Sequence, residues 1–197
     1  EPPTVELNEL QQLAKEIIIG LVDSKQATEK LGILIGRGGT GKSMSIGAAE
    51  YALEQLFGAG CVMKLATTGK AATVIGGSTV HSPKYGLGVP VSEKQLKKLS
   101  GKTLQQLQER LKGVKLIVID EYSMLRAREL FFIDQILRQV GDPEQLYGGF
   151  AVLLVGDPAQ IPPVKGQVLW TNNKKSPEAD KNGHLLYDSF FHNVIEL

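Results

Sequence analysis

Cysteine is nearly missing from this sequence. Cys61 is the only thiol in 197 residues, which excludes an internal disulfide framework and suits a reducing compartment. Long apolar runs are missing too, so no stretch reads as a transmembrane helix, a secretory signal or a lipidation signal. There is no internal repeat and no low-complexity tract. Net charge is small, +1, so the whole molecule is no magnet for polyanions. The single thiol and the lack of any membrane or secretion signal lead us to expect an intracellular protein without a membrane partner. Independently of these absences, the expectation is a monomer, in the nucleus or mitochondrion of a eukaryote or the cytoplasm of a bacterium.

What is present is ordinary in bulk and uneven in detail. Apolar residues make up 42% and charged residues 22%, and the length supports one domain with a full core. The charge is not evenly spread. Residues 93–115 hold seven bases (Lys94, Lys97, Lys98, Lys102, Arg110, Lys112 and Lys115) against Glu93 and Glu109, a local +5 that leaves the remainder at −4.

Apolar runs alternate with helical patterns along the chain. Residues 31–36, 61–67, 115–120 and 150–157 read as buried strands, and 193–197 is a candidate fifth. Residues 42–57 predict a helix stopped by Gly58, and 69–77 a short helix ended by glycines. Leu104, Leu107 and Leu111 set a helical spacing over 103–111, and 127–140 is another amphipathic helix. The polar stretches 83–93 and 171–183 are expected to be loops. Continuous apolar strands alternating with helices predict an α/β fold, a parallel sheet with helices on both faces. In such sheets ligands bind beyond the carboxyl ends of the strands.

Residues 36–43 read "GRGGTGKS", which fits the phosphate-loop pattern, and they sit between a predicted strand and a predicted helix as that pattern requires. Gly38, Gly39 and Gly41 let backbone N–H groups curl around an anion, and the helix start adds its positive dipole end. Lys42 reaches toward β- and γ-phosphates, and the Ser43 hydroxyl is a candidate Mg²⁺ ligand. With Thr40, these residues form the expected nucleotide-binding set.

At the end of "LIVIDE", Asp120 is placed to hold Mg²⁺ through water. Glu121, next to it, is a candidate base for an attacking water. Adjacent acids after a strand favour water over an organic acceptor, hence an NTPase using Mg²⁺. In "LLVGDPAQIPPV", residues 153–164, Gln160 lies between prolines at the end of the fourth predicted strand. Alone it reads equally as a turn amide or as a sensor of the γ-phosphate and the attacking water.

Four segments together resemble a known family. "GRGGTGKS", "ATTGKAATVIGGSTVHS" (66–82), "LIVIDEYSML" (116–125) and "LLVGDPAQIPPV" are similar in order and spacing to motifs I, Ia, II and III of superfamily 1B DNA helicases of the PIF and RecD type. The Ia-like segment is the most specific, because generic P-loop ATPases lack it. "LNELQQLAKEI" (7–17) resembles the family's adenine-reading motif, with Gln11 at the glutamine position. The resemblance runs from Leu7 to Leu197. It implies a RecA-like P-loop NTPase fold with a small insertion around 83–113. Lys42, Glu121 and Gln160 would be catalytic, and Gln160 would sense the γ-phosphate. Thr67, Thr68, Gly69, Lys70, Thr79, His81 and Ser82 would contact single-stranded DNA. Small hydroxyls, helix-start N–H groups and one Lys suit phosphates and do not read bases.

Gly38 and Tyr122 depart from the family's usual residues without removing a chemical group. The basic segment reads either as a solvated helix face or as part of an inserted subdomain facing DNA. The resemblance also implies a second RecA-like domain bearing transition-state arginines. The chain starts at Glu1 rather than Met and stops about 33 residues past the motif III segment. The expectation is therefore the first RecA-like domain of a 5′-to-3′ DNA helicase, excised or truncated, with the second absent. It would bind ATP and Mg²⁺, hydrolyse slowly and not unwind alone. The competing readings are a non-motor nucleotide-binding relic and a viral superfamily 1 RNA helicase domain.

Overall fold

The computed structural model describes residues 6–91, 96–99, 101–157, 159, 168–171 and 176–197. Strands rich in Val, Ile and Leu bury both their faces, and here they lie side by side in one parallel sheet. The strands are β1 (Leu31–Ile35), β2 (Val62–Ala66), β3 (Ser78–Thr79), β4 (Leu116–Asp120), β5 (Ala151–Gly156) and β6 (Val194–Glu196), in the spatial order β3-β2-β4-β5-β1-β6. The helices are α1 (Glu9–Asp23), α2 (Lys42–Phe57), α3 (Gly69–Val74), α4 (Gly101–Leu111), α5 (Ala127–Val140) and α6 (Glu178–Asp188).

Strand alternation divides the core in two. Leu34, Val62, Val118, Leu153 and Val155 face Ala14, Ile18 and Leu21 of α1 and Ala49 and Leu53 of α2. Ile33, Leu65, Ile117, Ile119 and Leu154 belong to the opposite cluster, with Leu130, Ile133 and Leu137 of α5. Each such aliphatic side chain contributes about 1.5–3 kcal/mol when fully buried. This is the RecA-like P-loop architecture expected from the sequence. Among the described residues no helix is long and apolar enough to cross a membrane.

Helix α2 has the bounds read from sequence, and the four main strands match to within a residue at each end. The fifth candidate is real: β6 pairs with β1. Two elements differ from expectation. Strand β3 has only two residues and exists because Leu65 and Ala66 of β2 pair with Ser78 and Thr79. The stretch 171–183 is not wholly loop, since α6 begins at Glu178. Its polar first turn is held from outside: Asp180 is 0% exposed and accepts from Arg128 Nη2 at 2.7 Å and Nε at 3.2 Å. Gly183 lies against the Ala127 carbonyl, where any Cβ would overlap. Within the expected insertion, 83–91 has no helix or strand. Helix α4 packs Leu107 and Leu111 into the core cluster that contains α5.

The register aligns the chemistry. Ile35 pairs with Gly156, Val155 with Asp120, Asp120 with Ala66, and Ala66 with Thr79. The carboxyl ends of β1, β5, β4, β2 and β3 therefore lie in one row.

Candidate nucleotide and nucleic-acid site

The phosphate loop joins β1 to α2. Gly39 and Gly41 have φ of 83° and 92°, the left-handed region that a side chain resists. At Gly41 a Cβ would also fall 2.2 Å from Gln11 Nε2. The Lys42 ammonium donates to the carbonyls of Gly36 at 2.6 Å and Arg37 at 3.0 Å, which holds its charge over the loop. Thr40 Oγ1 donates to Arg37 O at 3.0 Å. Gln11 joins α1 to this loop. Its Oε1 accepts from Asn8 N at 3.0 Å, completing a capping box, and its Nε2 donates to Thr40 O at 3.2 Å. One N–H and one lone pair of that amide remain.

A cavity of about 380 Å³ opens beside the loop. Gly38, Gly39, Lys42 and Ser43 line one side, and Asp120 and Glu121 line the other. Asp120 Oδ1 accepts from Glu121 N at 2.9 Å. Burial pushes the Asp120 carboxyl up, against the lowering effects of that N–H and of Lys42. Burial also pushes Glu121 up, Asp120 and Asp157 add to the rise, and Lys42 opposes it. Glu121 has φ 55° and ψ 40°, a left-handed backbone in a residue that is not glycine. A hydroxyl and a carboxylate facing one cavity form a hard oxygen donor set that fits Mg²⁺ shared with phosphate.

Thr67 follows β2, and its Oγ1 donates to the Glu121 carbonyl at 3.4 Å. This bond connects the proposed nucleic-acid segment to the acid pair. Thr68 caps α3 by accepting from Ala71 N at 3.3 Å, and Gly69 and Lys70 are exposed at the helix start. Gly76 (φ 63°) ends α3 in a Schellman motif, with Gly77 N donating to Ala72 O and Gly76 N to Thr73 O. Thr79, His81 and Ser82 emerge from the same sheet edge and are half-buried.

Both ring nitrogens of His81 have partners inside the protein. Nδ1 lies 2.8 Å from Val89 O, and Nε2 lies 3.5 Å from Glu129 Oε1. Ser82 Oγ accepts from Tyr85 N at 3.1 Å. Of the sequence-derived candidates, Gln160 lies outside the described residues. Its neighbour Asp157 follows β5, and its Oδ1 accepts from Ala159 N at 2.9 Å.

Sequence reasoning missed three side chains here. Glu50 and Lys64 line the cavity and pair at 2.9 Å, tying α2 to β2. The helical spacing of Ser43, Ile46, Gly47 and Glu50 carried that signal. Glu129, 4% exposed, accepts from Arg126 N and Arg126 Nη2 as well as facing His81. Its position three residues after Arg126, at the start of α5, is a local capping pattern, whereas nothing local marks its contact with His81. Tyr122, noted as a departure, is buried. It packs against Gly156, where an added Cβ would sit 3.1 Å from its ring, and its ring lies beside that of Tyr187, with centroids 6.1 Å apart. Burial pushes the Cys61 thiol up as well, leaving it a poor nucleophile.

Known proteins are similar to this chain. ATP-dependent DNA helicase RRM3 of Saccharomyces cerevisiae is 31% identical over 153 residues, covering 77% of this chain and 20% of RRM3. Pif1 helicase from Candida albicans has a similar fold, with a TM-score of 0.71 and 21% identity, over 98% of this chain and 40% of that one. The structure of Pif1 helicase from Bacteroides in complex with ADP-AlF3 and ssDNA is 27% identical, with a TM-score of 0.62, over 98% of this chain and 42% of that one. The chain thus spans about a fifth of its curated relative and about two fifths of the solved structures. The profile of the PIF1-like helicases matches residues 6–176, from just ahead of α1 to just ahead of α6. A match of that extent is membership: this chain belongs to the PIF1-like helicase family.

Proposed function

We propose that residues 1–197 are the first RecA-like domain of a motor that hydrolyses ATP, moves 5′ to 3′ on single-stranded DNA and unwinds duplex. A second RecA-like domain would complete the ATP site. The observation that supports this most is the single cavity lined by Lys42, Ser43, Asp120 and Glu121. The Thr67 bond to Glu121 leads from it to the hydroxyl-rich segment. The Bacteroides relative, with a nucleotide analogue and ssDNA together, supports the same pairing of ligands.

The roles follow from the groups. The N–H groups of the phosphate loop and the Lys42 ammonium bind phosphate oxygens, and Gln11 faces the base from α1. Ser43 and Asp120 would hold Mg²⁺, Asp120 through water. Mg²⁺ would supply neutralising charge at the phosphate oxygens when bound. Glu121 orients a water and takes its proton on a carboxylate oxygen. Burial and the neighbouring Asp120 raise its proton affinity, which suits a general base. Gln160 senses the γ-phosphate. Thr67, Thr68, Gly69, Lys70, Thr79 and Ser82 take the DNA backbone through hydroxyls, N–H groups and one ammonium. His81 serves that segment through its bonds to Val89 and Glu129.

The test compares ATPase and unwinding by the chain alone with the same chain fused to a PIF-type second RecA-like domain. The chain alone should bind ATP with Mg²⁺, turn over slowly and not unwind. The fusion should gain turnover stimulated by single-stranded DNA more than by RNA. In the fusion, Gln160→Ala should keep ATP binding and lower the stimulated rate. Robust unwinding by residues 1–197 alone, or no DNA stimulation of the fusion, would overturn the reading.

A further inference from the structure

Beyond Ser82 the chain makes a short loop whose tip is Lys84 and Tyr85. Tyr85 is 62% exposed, an unusual place for a large aromatic ring. Loop geometry holds the ring there. Ser82 Oγ accepts from Tyr85 N at 3.1 Å, and Ser82 O accepts from Gly86 N at 2.9 Å and Gly88 N at 3.1 Å. Gly86 is pressed against Thr79 O, where an added Cβ would sit 1.9 Å away. Val89 N returns to Val80 O at 3.1 Å. From α4, Arg110 donates to both Gly86 O and Pro83 O, so a cation of the basic segment is committed to pinning this loop. Lys84 Nζ stands over one face of the Tyr85 ring, 4.9 Å from its centroid.

Pro83, Lys84, Gln106, Glu109 and Arg110 line a groove of about 530 Å³ beside the tip. Its acid, Glu109, lies 4.0 Å from Lys112. The loop leaves the same sheet edge as Thr67, Thr68 and Thr79, because Ala66 and Thr79 are register partners. An exposed ring on a hydrogen-bonded loop, with an ammonium on one face and a row of candidate phosphate-binding groups alongside, has the chemistry of a single-strand stacking platform.

We propose that Tyr85 and Lys84 form a base-stacking and phosphate-binding element for single-stranded DNA, held in place by Arg110. One base stacks on the ring face opposite Lys84, and the Lys84 ammonium takes a flanking phosphate. The contact is indifferent to sequence, since every base has a π face. This proposal rests on the reading of the Ia-like segment as a DNA-binding surface.

The test is fluorescence anisotropy of a labelled oligothymidylate with the full chain. A second strand carries abasic sites, and circular dichroism reports folding. Tyr85→Ala should weaken binding about tenfold on the normal strand and hardly at all on the abasic one. Tyr85→Phe should bind within about twofold of wild type, because it keeps the ring. Lys84→Gln should reduce the slope of log K against log salt by about 0.7, one single-strand phosphate. Lys70→Ala reports on the underlying surface. Weakening by Lys70→Ala with wild-type affinity in Tyr85→Ala would overturn the platform alone. So would an equal loss in Tyr85→Phe, or a loss that persists on the abasic strand. No binding by the wild-type chain would overturn both readings.

Discussion

Glu121 and Tyr147 share a backbone oddity and nothing else. Among the described residues they are the two non-glycine positions with left-handed φ, 55° and 51°. Such geometry costs of order 1–3 kcal/mol each. They lie at opposite ends of two neighbouring strands, Glu121 after the carboxyl end of β4 and Tyr147 before the amino end of β5. Tyr147 is fully buried, its ring packed edge-on against Phe190 at 5.4 Å, and its N–H donates to Asp134 Oδ1 at 2.7 Å. Arg138 closes that corner on Asp134 at 2.8 Å. Glu121 has no such packing. Its carboxylate faces a cavity, beside a second acid and a lysine. Strain therefore does not mark a functional residue by itself. At Tyr147 packing surrounds the strained residue and turns it into a corner. At Glu121 the strain aims a titratable group at open space.

The largest effect that would sharpen this contrast is on turnover. In a complete two-domain motor, Glu121→Gln should lower DNA-stimulated ATP hydrolysis by about 10²–10⁴-fold, the usual worth of a general base. Its melting temperature should stay close to wild type. Steady-state ATPase assays and calorimetry would show both, and a large loss of stability would make Glu121 a structural corner like Tyr147.

Tyr147→Ala should do the reverse. Truncating a fully buried aromatic should destabilise the domain by about 3–5 kcal/mol in urea unfolding. ATP affinity of the remaining folded protein should be unchanged. Tyr147→Phe serves as the control, because the Tyr147 hydroxyl has no hydrogen-bond partner among the described residues. It should match or exceed wild-type stability.

The smallest effect concerns pH. Burial raises Asp120 and Glu121 in the folded domain, so the fold binds their protons more readily than the unfolded chain does. Their contribution favours the fold at low pH and is withdrawn as pH rises through the raised values. Asp120→Asn removes one such charge. The melting temperature of the nucleotide-free domain at pH 7 should then rise by about 2–4 °C. The gain should vanish in acid and reverse when ATP and Mg²⁺ are added. A lower melting temperature for the variant at pH 7 without ligand would contradict this account.

The site edge was more legible in the sequence than the rest of the molecule. Gly39, Gly41, Lys42, Ser43, Asp120 and Glu121 lie in short contiguous motifs, because backbone geometry and phosphate chemistry restrict the residue types there. The apolar runs that became β1, β2, β4 and β5 were equally plain. What escaped depends on partners distant in the chain. Strand β3 has no local signal, since its two residues are strand only because β2 lies alongside. The start of α6 looks like loop because the group that anchors it, Arg128, is 52 residues from Asp180. The partners of His81 are similar: the ring follows β3, and Glu129 sits on α5, far along the chain.

Gln11 has one more consequence. Its oxygen fastens the start of α1 and its nitrogen fastens the phosphate loop, so displacing one strains a bond to the other. The amino-terminal helix thus rides on the loop as a stiff pointer, and any movement of the loop around a phosphate swings its first turn. The amide protons of that turn become a remote gauge of events at the loop, readable by isotope exchange without a label near the chemistry.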